Sequence, residues 1–183
     1  MRELATAVLA TLALTLSACT KDDPPPPDPT SATTTPANPD ATLPPMPAVA
    51  KEFTPNGAAT FVSYYVSVID YASKTGDVVQ LEKLSDPQCE GCSRYVDLFT
   101  GIYAAGGSAK GRSWSRSETE LRFQKDDKYE SFATTTVRIS AGTVQESSDA
   151  TPETFPAAAD KVTFALLFDG AWRITQFVTG GAE

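Results

Sequence analysis

The chain has 183 residues, a length that suits one domain with appendages. Its formal net charge of −8 and pI near 4.6 argue against an electrostatic grip on nucleic acid or anionic lipid. It contains no histidine, which removes the commonest general base, the commonest zinc ligand and every Ser-His or Cys-His nucleophile scheme together.

Arg2 precedes an apolar run from Leu4 to Leu16 that is too short to span a bilayer as a mature helix. This is the n-region and h-region pattern of a secretory signal peptide over residues 1–18. It ends in Leu16-Ser17-Ala18-Cys19, which resembles the bacterial lipobox, a signal in which the cysteine thiol is diacylglycerylated and the chain is cut just before it. Cys19 is therefore the expected lipidation site, and acyl chains there would tie the chain to a membrane. An ordinary signal peptide with a nearby cysteine, or an uncut anchor, stays open as the alternative.

Residues 19–52 read as a lipidated cysteine followed by a disordered tether. Ten of the fourteen prolines fall between Thr20 and Glu52, and such a segment has too little apolar surface to offset its ordering entropy. The Thr33-Thr34-Thr35 run is a conceivable O-glycan site.

A single domain is expected over 53–180. Thr54 suits an N-cap and Pro55 the first helical position. Phe61, Tyr64, Tyr65, Val68 and Ala72 recur at three- and four-residue steps as one apolar stripe. Thr60, Ser63, Ser67, Asp70 and Lys74 share the opposite face, which predicts a solvated stripe. Gly76 supplies a left-handed helix end and Asp77 a cap for the next helix. Val78, Val79, Leu81 and Leu84 predict a short second helix, broken by Ser85-Asp86-Pro87. A third helix starts at Cys92 or Ser93 and closes at Gly106-Gly107. From Gly111 the period changes to two. One strand ends at Leu121 and Phe123, and Lys125 to Lys128 form a turn. Strands are expected at 132–141, near 143–146, at 162–168 and from Trp172 to Gln176, with a loop over 147–160. Asp169-Gly170 signals a tight hairpin. Helices first and a meandering antiparallel sheet afterwards is an α+β arrangement, and Phe61, Val68, Phe164 and Phe168 are the expected seam between them.

This order resembles the cone-shaped, cystatin-like roll of the nuclear transport factor 2-like superfamily, in which N-terminal helices pack into a bent antiparallel sheet. A closer likeness rests on Thr54-Pro55 with Gly57-Ala58, Tyr64-Tyr65, Thr75-Gly76-Asp77, Ser85-Asp86-Pro87 with Cys89 and Cys92, and Trp172-Arg173-Ile174. By these residues the chain is similar to an actinobacterial lipoprotein family grouped as domain of unknown function 6318. That resemblance implies a location and a fold, and no activity.

With Cys19 assigned to lipid, Cys89 and Cys92 remain as a pair in an oxidising compartment. A structural disulfide, a redox-active CxxC at a helix N-terminus and a metal site are the three readings. Two helices precede the pair where a thioredoxin-like unit needs a buried strand, and two sulfurs without histidine make a poor zinc set. Tyr64, Tyr65, Tyr95 and Tyr103 are candidate pocket residues, although tyrosines at helical spacing more often serve a core. Trp114, Arg116, Glu118, Glu120 and Arg122 alternate on one strand face and read as exposed cross-strand pairs, with a binding surface as the alternative.

No cofactor, metal site or catalytic residue is assigned, and the question of an enzyme is left open. The first reading is a lipid-anchored lipoprotein at the outer face of the cytoplasmic membrane with a non-catalytic binding or accessory domain. Its partners would be the membrane, through Cys19, and an envelope protein or small molecule. The alternatives are a cone-fold enzyme or carrier for a small apolar molecule, and a CxxC thiol oxidoreductase. A filled cone favours the first, and an enclosed apolar cavity with an inward carboxylate the second.

Overall fold

A computed structural model describes residues 41–180. The order of elements is α1 (Pro55–Thr75), α2 (Val79–Leu84), α3 (Glu90–Ala104), β1 (Gly106–Lys110), β2 (Trp114–Arg116), β3 (Glu120–Arg122), β4 (Ser131–Ile139), β5 (Gly142–Ser147), β6 (Glu153–Phe155), β7 (Ala158–Phe168) and β8 (Trp172–Thr179). Three helices pack against antiparallel sheets, an α+β fold. One sheet has five strands in the order β2-β4-β7-β8, with β3 also on β4, and the other has three in the order β1-β5-β6.

The limits of α1 follow from its sequence. Thr54 Oγ1 accepts from the Gly57 backbone N–H at 2.9 Å, Pro55 occupies the first turn, and Gly76 ends the helix at φ 74°. Its burial departs from the predicted stripe. Val62, Val66, Ile69, Ser73 and Thr75 are buried along with the expected apolar positions, so α1 is the central helix, enclosed nearly all round. Ser63 and Asp70, expected on a wet face, are half-buried and bonded to β2 and its approach.

The inner face of β4 explains how the large side chains of α1 fit. Ser131, Ala133 and Thr135 are small and buried, which leaves depth for Phe61, Tyr65 and the facing Phe164. Tyr65 meets Phe164 edge-on at 5.9 Å, and Phe164 lies 4.9 Å from Phe177. Phe61, Val68 and Phe164 thus form the predicted seam. Phe168 does not join it. It packs instead with Phe53 at 4.9 Å and Trp172 at 5.1 Å, at the other end of the sheet.

Phe53 belongs to a segment that corrects the expected tether boundary at Glu52. Ala48–Lys51 form a 3₁₀ turn with Ala50 buried, Met46 and Phe53 pack on the core, and Trp172 Nε1 donates to the Glu52 carbonyl at 2.9 Å. A Cβ on Gly57 would lie 2.0 Å from that carbonyl oxygen, so the strap lies where it does only because α1 carries glycine there. Proline content hid this: three prolines at 44, 45 and 47 stiffen the strap toward an extended path without preventing Met46, Ala50 and Phe53 from docking.

The strands differ from expectation in three places. β1, read as a helix-closing Gly-Gly, pairs with β5, Gly106 facing Ser147 and Lys110 facing Thr143. The single strand expected up to Phe123 is two, split at 117–119, where the Ser117 N–H donates to the Thr136 carbonyl and Thr135 Oγ1 to the Ser117 carbonyl. The loop expected over 147–160 contains β6 and the first residues of β7. The sheet is therefore no simple meander: β5 and β6 leave it to pair with β1. The β7–β8 hairpin turns through Asp169, Gly170 (φ 70°) and Ala171, with Phe168 facing Trp172.

Candidate functional site

Three surface regions collect polar chemistry, and they lie on different elements.

The first is the start of α3. Cys89 is its N-cap, and the Cys92 N–H donates to Cys89 Sγ at 3.2 Å. The two sulfurs are bonded at 2.05 Å, and each residue is 1% exposed. The helix begins at Glu90, two residues before the predicted start, because the cysteine itself caps it. Gly91 lets this turn lie against β8: a Cβ there would fall 2.1 Å from the Phe177 carbonyl oxygen. A disulfide held this deep offers an attacking thiolate little access to either sulfur, and exchange requires that access.

The second region is a groove along β8, an end strand of its sheet. Asp86, Gln88, Glu90 and Arg94 line it on the helix side, and Glu130, Thr175 and Thr179 on the strand side, around a volume of about 680 Å³. The Asp86 N–H donates to the Ile174 carbonyl at 2.7 Å and closes one end. Exposed Leu98 stands beside Tyr95 and Phe177 in an adjoining cleft.

The third region lies where α1 ends and β1 runs toward β2. Lys74, Tyr103, Ser108, Lys110, Arg112 and Ser113 surround a cleft of about 310 Å³. Asp70 organises the wall behind it: Oδ2 receives Lys74 Nζ at 2.7 Å and Oδ1 receives the Trp114 N–H at 2.8 Å. Tyr103 forms the floor, its hydroxyl donating to the Ser73 carbonyl at 2.8 Å while its ring lies against Gly76, where a Cβ would come within 2.4 Å. Burial raises the Tyr103 phenol above its ordinary pKa, and the Ala109 N–H bond works the other way. The Arg112 guanidinium sits over the Phe155 ring, 5.3 Å from its centroid.

The four candidate tyrosines are not gathered around one ligand space. Tyr64 and Tyr65 are buried in the core, and the Tyr65 hydroxyl is paired with Ser85 Oγ at 2.9 Å. Tyr95 is held between Phe177, stacked at 4.9 Å, and Trp114, edge-on at 5.2 Å. Burial, and to a smaller degree the charge of Asp160, raise its phenol pKa. Tyr103 alone lines the cationic cleft. Helical spacing here served packing, and the hydroxyls mark the edges of the core.

The strand 114–122 is likewise not one exposed face. Trp114 packs on the core, and Arg116 turns inward to Ser63 Oγ, the Ser117 carbonyl and Thr119 Oγ1. Burial lowers its guanidinium pKa. Glu118 and Glu120 remain exposed. What sequence reasoning missed is the cationic cleft, because β1 has no alternating apolar pattern and Lys110 and Arg112 lie outside every motif. The absence of a carboxylate between Arg94 and Arg116 other than Asp97 was the available signal. Cys19, the signal peptide and the first part of the tether lie outside the described residues. Among the described residues no cluster of three metal-ligating side chains occurs, and no helix is long and apolar enough to cross a membrane.

None of the curated proteins matches the chain. Among solved structures, it is similar to an uncharacterised protein with a cystatin-like fold from Caulobacter vibrioides. That likeness has 13% identity over 68% of this chain and 89% of the other, with a TM-score of 0.44. It is also similar to a nuclear transport factor 2-like superfamily protein from Salmonella enterica serovar Typhimurium, at 9% identity over 71% of this chain and 94% of the other, with a TM-score of 0.49. The profile of a family described as a family of unknown function, DUF6318, matches residues 28–177. The match takes in the strap, all three helices and the strands through Phe177, and the chain belongs to that family.

Proposed function

We propose that this chain is a lipid-anchored envelope protein whose domain binds a partner or small ligand at its surface without transforming it. The observation that supports a surface site is the filled interior. Phe61, Tyr65, Val137, Val162, Phe164 and Phe177 are buried against one another where a cone-shaped enzyme or carrier would hold its substrate. No buried aspartate or glutamate stands among these core residues, so an acid–base pair would have to be assembled at the surface. Lipidation at Cys19, a proline-rich spacer and the outer face of the cytoplasmic membrane complete the reading. They rest on the lipobox-like sequence and on tether composition.

Two measurements test it. Metabolic labelling with a palmitate analogue tags the wild type and leaves Cys19→Ala untagged; equal labelling of both removes the anchor. An apolar fluorescent probe such as Nile red gives no saturable signal with the folded protein. Stoichiometric binding displaced by a fatty acid overturns the filled-interior reading in favour of an apolar carrier.

A further inference from the structure

The cationic cleft between the end of α1 and the β1–β2 connection stands out against the charge of the whole chain. In a protein of net charge −8, three cations, Lys74, Lys110 and Arg112, and two serine hydroxyls, of Ser108 and Ser113, line one cleft with no carboxylate among them. Lys74 is neutralised by Asp70 at 2.7 Å, and its place in the last turn of α1 offsets the partial negative charge there. Lys110 and Arg112 have no ion-pair partner among the described residues. Among the described residues, two of the three cations of the cleft therefore stand outside any ion pair.

Arg112 is also pre-positioned. Its guanidinium rests on Phe155. Its side chain passes Gly142, where a Cβ would lie 2.7 Å from Arg112 Cγ and 2.3 Å from the Lys110 carbonyl oxygen. Its Nη1 is buried and has no hydrogen-bond partner among the described residues. A buried donor left unpaired is unfavourable, more so when charged, and an oxyanion bound at the Arg112 guanidinium would offset that loss. Gly111, at φ 75°, turns the backbone between the two cations so that both border the same space.

We propose that this cleft binds a small doubly charged oxyanion of the phosphate type, either free or as a phosphate monoester, including a monoester lipid headgroup. A guanidinium fork with an adjacent ammonium matches phosphate oxygens in geometry and charge, whereas a single carboxylate would leave one cation unmatched. The inference deepens the reading of the domain as a surface binder by naming its ligand. The two fail separately, since the apolar-probe assay decides the filled interior and the following titration decides the site.

The full chain in neutral detergent is titrated with inorganic phosphate, glycerol 3-phosphate and acetate at low ionic strength, with backbone amide resonances as the readout. Saturable shifts centred on Gly111, Arg112 and Ser113 are expected for the two phosphates and weaker ones for acetate. Lys110→Gln/Arg112→Gln raises the dissociation constant at least tenfold, about 1.4 kcal/mol, and Lys83→Gln, an exposed control, does not. If the Arg112 change perturbs folding, Lys110→Gln alone, at an exposed side chain, carries the test. Flotation with phosphatidic acid vesicles but not phosphatidylcholine vesicles, lost in the double variant, identifies a lipid headgroup as the source. Equal affinity in the double variant, or no saturable binding to either phosphate or to the anionic vesicles, overturns the proposal.

Discussion

The two ends of α1 are closed by different physics. At its N-terminal end Phe53, Phe123, Phe168 and Trp172 form a cluster of rings with centroids 4.9–6.3 Å apart, and the strap before Thr54 is held by it. At its C-terminal end the closing contacts are polar: Asp70 to Lys74 and to the Trp114 N–H, Tyr103 to the Ser73 carbonyl, Tyr71 to Asp77 Oδ2 at 3.0 Å. Apolar closure removes surface from water and is non-directional. Polar closure fixes direction and leaves donors facing the solvent. The first end is built for stability, and the second has the groups with which an outside molecule can compete or combine.

The largest expected effect is at the apolar end. Trp172 is 3% exposed, packs against three aromatic rings and donates to the Glu52 carbonyl. Trp172→Ala should cost about 3–5 kcal/mol, as for other buried aromatic deletions, measured by urea unfolding. It should also make the 41–53 strap sensitive to proteolysis. A cost under about 0.5 kcal/mol, the size usual at a surface, would mean that the cluster does not close this end.

The polar end should respond less. Asp70→Ala removes two charge-assisted hydrogen bonds and leaves the Trp114 N–H to find water, so about 1–3 kcal/mol is expected. Since Asp70 also compensates Lys74, the same change should strengthen phosphate binding at the cleft while weakening the fold. Opposite signs in the two readouts are the signature. An Asp70→Ala cost as large as that of Trp172→Ala would erase the distinction between the ends.

The contrast also explains what the sequence disclosed. Local signals were legible: Thr54-Pro55 and Gly76 bound α1, Val162, Phe164 and Leu166 alternate along β7, and the cysteine spacing permits the α3 corner. Tertiary signals were not. Ser63 and Asp70 look like solvent-facing residues because a helical wheel cannot show that Arg116 and the Trp114 N–H will arrive from elsewhere in the chain. Gly106 to Lys110 form a strand with no large apolar residue, held by pairing with β5 and so silent in a periodicity search. The strap is polyproline-like in composition, yet three apolar side chains suffice to dock it. The cleft is built from two of these pieces, the Asp70 end of α1 and β1, and so it was the least visible feature.

The smallest expected effect at neutral pH lies between the two ends, at Tyr65. Its ring is buried and its hydroxyl pairs with Ser85 Oγ, while Ser85 Oγ also donates to the Leu81 carbonyl at 2.8 Å. Tyr65→Phe therefore keeps the packing and leaves Ser85 a partner, and the loss should stay near 1 kcal/mol or below. The difference should emerge in alkali. Burial raises the Tyr65 phenol pKa, partly countered by the Ser85 bond and slightly reinforced by Tyr95. Above an unfolded-state pKa of about 10 the unfolded chain releases this proton and the folded chain keeps it. The unfolded state then binds fewer protons, so stability falls as pH rises, by up to about 1.4 kcal/mol per pH unit for one group. The contribution is whole below about pH 10 and declines above it, toward the raised folded-state value. Unfolding free energies of wild type and Tyr65→Phe should run parallel from neutral pH to about pH 10 and converge or cross beyond it, with the variant showing the shallower decline. Tyr64, Tyr71, Tyr95 and Tyr103 are raised in the same direction, so the variant should keep a residual slope. Identical slopes in the two proteins would mean that water reaches the Tyr65 hydroxyl in the folded state, and that the core between the two ends is more open than its packing shows.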